Sequence, residues 1–211
     1  PIYVEWENRL LDRAAGAVAT AASLCDSLRA RRPDLPITLI RNGVNVERFQ
    51  HLAETTPRPG DLPSGDRPVV GFVGALYEWL DWPLIENTIR ALPEYDFFFV
   101  GPEDGRGEPE RLSGLSNAHL LGPRPYDQVP AYVQAADVCW VPFQQDAIGK
   151  AANPVKMYEY LALGKPVVTT PVADTNRFEG LVTVVTNARE AVAGLEDALH
   201  STPFQVTARV A

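Results

Sequence analysis

The sequence predicts an open, doubly wound α/β sheet, and three observations carry that prediction. Strand-like runs and helical patterns alternate about five times after residue 67. Most of the strand-like runs are continuously apolar rather than alternating, as parallel strands covered on both faces must be. The helical segments between them keep apolar residues at helical spacing on one side. In such sheets ligands bind beyond the carboxyl ends of the strands, which directs attention to the loops 74–81, 101–117, 123–126, 143–153 and 171–177.

Taken in order, residues 4–15 (VEWENRLLDRAA) have an acidic start and apolar positions at helical spacing, followed by a short small-residue strand, GAVAT. A helix over 21–31 places Ala21, Leu24 and Leu28 on one face, and PITLIRNGV then predicts a β-branched strand that ends on the turn signal Asn42-Gly43. Residues 51–67 (HLAETTPRPGDLPSGDR) concentrate Pro, Gly, Ser and Thr without periodicity, the composition of an interdomain linker. Beyond it, strands are predicted at 68–76, 96–101, 118–122, 137–143, 165–170 and 181–186, with helices at 82–92, 126–136, 154–163 and 188–199.

Composition narrows the function. The net charge of −8 comes from the later part of the chain, since residues 1–50 hold seven Arg against six acids, and no basic patch accompanies an aromatic platform. That argues against nucleic acid as a partner. Cys25 and Cys139 lie far apart in apolar segments and read as core thiols in a reducing compartment rather than a disulfide or zinc site. No apolar run reaches the roughly 18–20 residues needed to span a bilayer, and no signal peptide is present, so a cytoplasmic location is expected. The chain begins with Pro1 and stops at TARVA without a helix stop, which reads as a piece of a longer protein.

The stretch NPVKMYEYLALGKPVVTT, residues 153–170, bears the chemistry. All three lysines, Lys150, Lys156 and Lys165, fall in or beside it, against sixteen arginines elsewhere. Asn153 predicts an N-cap with Pro154 in the first turn, while Gly164 and Pro166 predict the stop. Val155, Tyr158, Leu161 and Ala162 then form the expected buried stripe, and Lys156 and Glu159 share the other face. A helix start and the Lys156 charge suit a phosphate or diphosphate. At about 1.5 Å per residue Glu159 lies some 4.5 Å further along the axis, near where a ribose would follow, and its carboxylate can accept from a diol. The plain alternative is a solvated Lys–Glu pair, worth a few tenths of a kcal/mol. Lys165 is expected to favour the helix's C-terminal dipole, and Lys150 stays open.

NPVKMYEYLALGKPVVTT, the upstream LLGPRPYDQVPAYVQAADVCWVPF and the earlier RNGVNVERF together resemble a GT-B glycosyltransferase, close to family 4 and to bacterial cell-surface polysaccharide transferases. The resemblance implies two Rossmann-like domains. Residues 1–50 would be the last part of the N-terminal acceptor domain, 51–67 the linker, and 68–211 the C-terminal donor domain without its final helix. It implies a retaining transfer of sugar from a nucleoside diphosphate sugar to an acceptor hydroxyl, on a carbohydrate or lipid-linked acceptor, without a metal or other cofactor. It also leaves room for peripheral membrane association of the full-length protein.

Residue by residue, the resemblance assigns Glu159 to the ribose and Gly74 to close backbone approach by the donor. The loop with Pro123, Arg124 and Tyr126 would hold the base. The first glutamate of the family's acidic pair is replaced by Ala151, and no basic residue follows the first donor-domain strand (GALYEWLDW). Lys156 is therefore expected to take over the diphosphate charge and act as the catalytic cation, with Asp146 or the 144–150 loop replacing the sugar contact. Arg124 reads equally as a surface ion-pair residue. Trp79 and Trp82 read as helix-start packing before sugar platforms, and His51, His119 and His200 carry no chemistry. The competing readings are a nucleotide-sugar epimerase, whose acid–base set is missing from the loops, and a non-catalytic nucleotide-sugar-binding module. An NAD-type domain fits less well, because GFVGAL is not G-x-G-x-x-G.

Overall fold

A computed structural model describes residues 2–200. The first module contains α1 (Ile2–Leu11), β1 (Ala17–Ala19), α2 (Ala22–Arg31) and β2 (Ile37–Leu39), with β1 and β2 paired in parallel. Then come α3 (Val46–Thr55), β3 (Val69–Val73), α4 (Trp82–Ala91), β4 (Asp96–Val100), β5 (Ala118–Gly122), α5 (Val129–Ala135) and β6 (Val138–Val141). The chain continues through α6 (Ala147–Ala151), α7 (Val155–Ala162), β7 (Val167–Thr169), β8 (Val182–Val184) and α8 (Ala188–Leu199), with short 3-10 turns at Pro109–Leu112 and Thr175–Phe178.

The main sheet has the order β5-β4-β3-β6-β7-β8, every pair parallel. The chain starts at β3, winds outward through β4 and β5, then returns to the other side of β3 for β6, β7 and β8. The strand order therefore reverses between β3 and β6, and a crevice opens at their carboxyl ends. β3, β4 and β6 are buried along their whole length, and the core between sheet and helices holds Phe72, Phe97, Phe98, Phe99 and Trp140. Burial on both faces is what made these runs continuously apolar.

Two differences from the sequence reading concern boundaries. The segment expected to be an irregular linker from residue 51 is helical up to Thr55, because Asn45 caps α3 through the Arg48 N–H at 2.9 Å and Phe49 and Ala53 are buried. This helix docks on α5 and α7: its Gln50 donates to the Ala162 carbonyl of α7 at 2.8 Å. The irregular connection is 56–67. The donor segment was expected to run to 211, and residues 201–211 lie outside the described residues.

Four side chains bind distant elements to the ends of this sheet. Asp137 accepts from the Val69 N–H at 2.8 Å, tying the entry of β6 to β3. Tyr160, fully buried on α7, accepts from the Val73 N–H at 2.9 Å and fixes that helix to the last residue of β3. Thr170 donates to the Phe143 carbonyl at 2.7 Å. Lys165 donates to the carbonyls of Gln134 and Ala136 at 2.6 and 2.8 Å, so it closes the C-terminus of α5 rather than that of its own helix. Cys25 and Cys139 are free and buried.

Candidate functional site

The crevice is bounded by the loops after β3 and β6 and by the start of α7. The two loops are stitched together: Asp81 N–H donates to Pro142 O and Gln144 N–H to Trp79 O, each at 2.8 Å, and Leu80 bridges Phe143. Between them and α7 is a cavity of about 290 Å³ lined by Trp79, Phe143, Gly149, Ala152, Asn153, Pro154 and Lys156. A larger hollow of about 610 Å³ lies where β4 and β5 begin, lined among others by Asp61, Asp66, Asp96 and His119. Its lining mixes those carboxylates with Arg67, and it sits at the amino ends of the strands, away from the end where such sheets bind ligands.

Lys156 enters the crevice from the first turn of α7. Its Nζ lies 5.3 Å from the Phe72 ring centre and 5.0 Å from that of Phe143. Among the described residues it has no hydrogen-bond or ion-pair partner, although Glu159 lies one turn away. The lysine side chain as a whole is partly exposed, yet protein surrounds the ammonium on most sides. Burial lowers its pKa to about 8, against the opposing pull of Glu159. The two aromatic faces recover part of that desolvation through cation–π attraction.

Gly74 is the surface against which this lysine lies. Its φ of +156 is a conformation that favours glycine, and a Cβ there would stand 2.6 Å from Lys156 Cε. Its carbonyl in turn lies only 1.9 Å from where a Cβ on Gly101 would sit, so both glycines are needed to bring the loops after β3 and β4 together.

Glu159 is 6% exposed, which a solvated surface pair would not be. Burial raises the pKa of its carboxyl, while a hydrogen bond from Tyr126 Oη to Oε1 at 2.8 Å and the nearby Lys156 work against that rise. Burial and the same bond push the Tyr126 hydroxyl up to about 12. Asn153 and Lys156 therefore line the cavity, Gly74 lies against Lys156, and Glu159, one turn on, is held by Tyr126.

Other expected residues do other work. Asp146 caps α6, its Oδ1 accepting from the Gly149 N–H at 2.8 Å, so one oxygen of its carboxylate holds the cavity wall. Arg124 pairs with Asp61 of the 56–67 connection and donates to Tyr132 Oη at 2.8 Å; it braces that connection on α5 and does not meet Lys156. Lys150 is exposed on α6.

Asn153 does not cap α7. The helix begins one residue later, with Pro154 in extended geometry at its N-cap and no side chain closing the start. Asn153 is 7% exposed, its Oδ1 is buried without a partner, and its carbonyl accepts from Asn42 Nδ2 at 2.6 Å. With the ion pair from Arg41 Nε to Asp174 at 2.8 Å, this ties the segment around NGV in the first module to the lead-in of α7 and to the loop after β7. The buried stripe of α7 is Met157, Tyr160, Leu161 and Ala162. Val155, expected inside, is 40% exposed, because the helix turns Tyr160 rather than Tyr158 toward β3.

Two features were missed or misread. Tyr160 carried no local signal, since its partner is in β3. Trp82 is buried packing at the start of α4, as expected, whereas Trp79 packs against Tyr77, with ring centres 4.7 Å apart and planes tilted by 59°, and lines the cavity. Among the described residues no group of three or more His, Cys, Asp or Glu is placed to hold a metal ion, and no helix is long and apolar enough to cross a membrane.

Parallel strands wound both ways from a switch point, with a cation and a carboxylate on the helix beyond it, define an α/β domain of the GT-B type. Solved structures share this architecture. That of Anabaena Alr3699/HepE in complex with UDP and glucose superposes with a TM-score of 0.69 at 17% identity, covering 96% of this chain and 58% of that one. The α,α-trehalose 6-phosphate synthase of Burkholderia multivorans gives 0.77 at 14% identity, covering 96% and 55%. At the level of sequence, the family described as Glycosyl transferases group 1 matches residues 67–201, and the chain belongs to that family of glycosyltransferases.

Among curated relatives, TuaH of Bacillus subtilis (strain 168), named for glycosyl transfer in teichuronic acid biosynthesis, is 31% identical over 142 residues. That match takes in 66% of this chain and 36% of TuaH. The 2-deoxystreptamine glucosyltransferase of Streptomyces kanamyceticus is 26% identical over 198 residues, 87% of this chain and 49% of that protein. The chain thus spans between a third and a half of the curated relatives it matches.

Proposed function

We propose that this chain supplies the donor half of a retaining, family 4-type glycosyltransferase that moves a sugar from a nucleoside diphosphate sugar to an acceptor hydroxyl in cell-surface polysaccharide or glycan synthesis. The observation that carries the reading is the unpaired ammonium of Lys156 at the open start of α7, wedged between Phe72 and Phe143 against Gly74. A cation held out of water without a counter-ion is destabilising on its own and becomes favourable when an anion arrives. The diphosphate is placed there, with the first-turn N–H groups of α7 completing its shell. Glu159 accepts from the ribose hydroxyls, and the sugar occupies the cavity beside Trp79 and Phe143.

The barrier to transfer is dominated by charge building on the leaving diphosphate. Lys156 and the α7 start stabilise that charge as it develops, which requires no metal ion and no protein nucleophile. The leaving phosphate accepts the proton of the attacking hydroxyl, and the acceptor, a carbohydrate or a lipid-linked glycan, approaches from the side of the first module. Ala151, at the place of the family's first glutamate, has no polar group, whereas Asp146 keeps one carboxylate oxygen beyond the one that caps α6.

Calorimetric titration with UDP-, GDP- and dTDP-sugars tests the site, on the wild type and on Lys156→Ala and Glu159→Ala. One of the donors is expected to bind, and each substitution to weaken it by about tenfold or more, the worth of a charge-assisted hydrogen bond. Binding that neither substitution alters would overturn the assignment.

A further inference from the structure

We propose that Tyr126 is a positioning residue for the nucleotide's ribose: its hydroxyl holds one oxygen of the Glu159 carboxylate so that the other faces a vicinal diol. The inference rests on the reading of Glu159 as the ribose acceptor and goes past it by naming what aims that carboxylate. It also gives Tyr126 a role through Glu159 in place of a contact to the base.

Glu159 is buried, and the bond from Tyr126 Oη to Oε1 at 2.8 Å is its one hydrogen bond among the described residues. A carboxylate carries about four acceptor positions on two oxygens, so a single donor leaves Oε2 free and fixes the plane in which it lies. The anchor is rigid on its own side. Tyr126 stands in the loop between β5 and α5, with its ring tilted on Phe49 of α3 at 6.4 Å, and Phe49 is 2% exposed in the core. The tyrosine is 55% exposed while its hydroxyl end reaches inward, so the ring walls Glu159 from solvent on that side. Lys156, one turn away, attracts the carboxylate without bonding to it. In the absence of Tyr126 the carboxylate would be free to swing toward the lysine and lose its aim.

The consequence is discrimination between ribose and deoxyribose in the donor. Matched pairs of probes separate this from a contact to the base or a purely structural role: UDP against 2′-deoxy-UDP, and GDP against 2′-deoxy-GDP, titrated into wild type, Tyr126→Phe and Glu159→Gln, with the Tm of each protein recorded. The wild type is expected to favour the ribonucleotide by about tenfold, the worth of one good hydrogen bond to a charged group. In Tyr126→Phe the ribonucleotide is expected to weaken by about fivefold or more, with the deoxynucleotide changed by less than about twofold, so the preference collapses as it does in Glu159→Gln.

Equal weakening of both nucleotides in Tyr126→Phe, or an unchanged preference, overturns the positioning role while leaving the Glu159 reading in place. A wild type without ribose preference, or without affinity for any of these nucleotides, overturns the Glu159 reading itself. A lowered Tm with an unchanged ratio in the folded fraction also counts against the proposal, since a structural tyrosine would alter stability alone.

Discussion

If the diphosphate sits on Lys156 as proposed, nucleotide affinity is expected to depend on pH, with a sign and size that follow from the site. Its pKa in the unliganded protein is about 8, lowered from 10.5 chiefly by burial. A bound diphosphate favours the charged form and returns the pKa toward its ordinary value. The nucleotide therefore binds the protonated site, and affinity falls as pH rises through 8, because an increasing share of the free protein must first take up a proton. Between about pH 7 and pH 9 the protonated share drops from roughly nine-tenths to one-tenth, so Kd weakens by about tenfold, or about 1.4 kcal/mol. A nucleoside diphosphate sugar has no phosphate group titrating in that window, and the ring N–H of its base ionises only toward the upper end. Calorimetry in buffers of different ionisation enthalpy counts the protons directly, and about half a proton is expected to be taken up per nucleotide near pH 8. Lys156→Met is expected to bind weakly at every pH, with neither slope nor uptake. A wild-type Kd that stays flat from pH 7 to 9 with no proton uptake would refute the placement of the diphosphate on this lysine.

The same desolvation acts on stability. Because the folded pKa of Lys156 is depressed, the native state holds fewer protons than the unfolded chain between about pH 8 and 10.5, and stability is expected to rise with pH across that window. Lys156→Met should raise the stability of the unliganded protein near neutral pH by up to roughly 3 kcal/mol, the size of the pKa depression expressed as free energy, measured by urea denaturation. Gly74→Ala is expected to displace Lys156 and lower nucleotide affinity by at least about tenfold, with about 1–3 kcal/mol of backbone strain visible as a lower Tm. Tyr160→Phe leaves the Val73 N–H unpaired in the core and is expected to cost about 1–3 kcal/mol in denaturant titration, with α7 loosened enough to weaken the nucleotide as well. Lys165→Met strands the Gln134 and Ala136 carbonyls and should lower stability by about 1–2 kcal/mol without changing nucleotide affinity.

The middle of the sheet was legible because β3, β4, β6 and β7 are buried on both faces. DFFFV and VCWV have nowhere to go but the middle of an α/β core, and β5 and α8 fall on the residues their patterns predict. What misled the reading was short-range signal overruled by distant packing. The Pro- and Gly-rich composition of 51–67 hid the last half of α3, whose apolar positions Phe49 and Ala53 lie on either side of the expected boundary. Asn153-Pro154 is a sound helix-start signal, yet proline's extended ψ of 123° moves the helix on by one residue and leaves the Asn153 amide facing inward. Asp146 caps α6 from within its own loop, and the partner of Arg124, Asp61, is too far away in the chain for the local pattern to show it. No residue pattern near Lys165 reveals that its partners are the carbonyls of α5.

Lys156 and Glu159 show most clearly where local reasoning stops. A lysine and a glutamate three apart look the same on a solvated face and in a binding crevice, and the difference here lies wholly in what other elements bring to them. Tyr160, on the next face of α7, bonds to the end of β3 and so draws that helix over the switch point. Once it is there, Lys156 has no route except across Gly74 and between Phe72 and Phe143, and Glu159 is covered by Tyr126. The two charged groups are thus desolvated by the same contacts that position them. Fixed in that way, they would meet the proposed diphosphate and ribose without reorganising at the moment charge develops, and such preorganisation is worth far more in a water-poor crevice than on a surface.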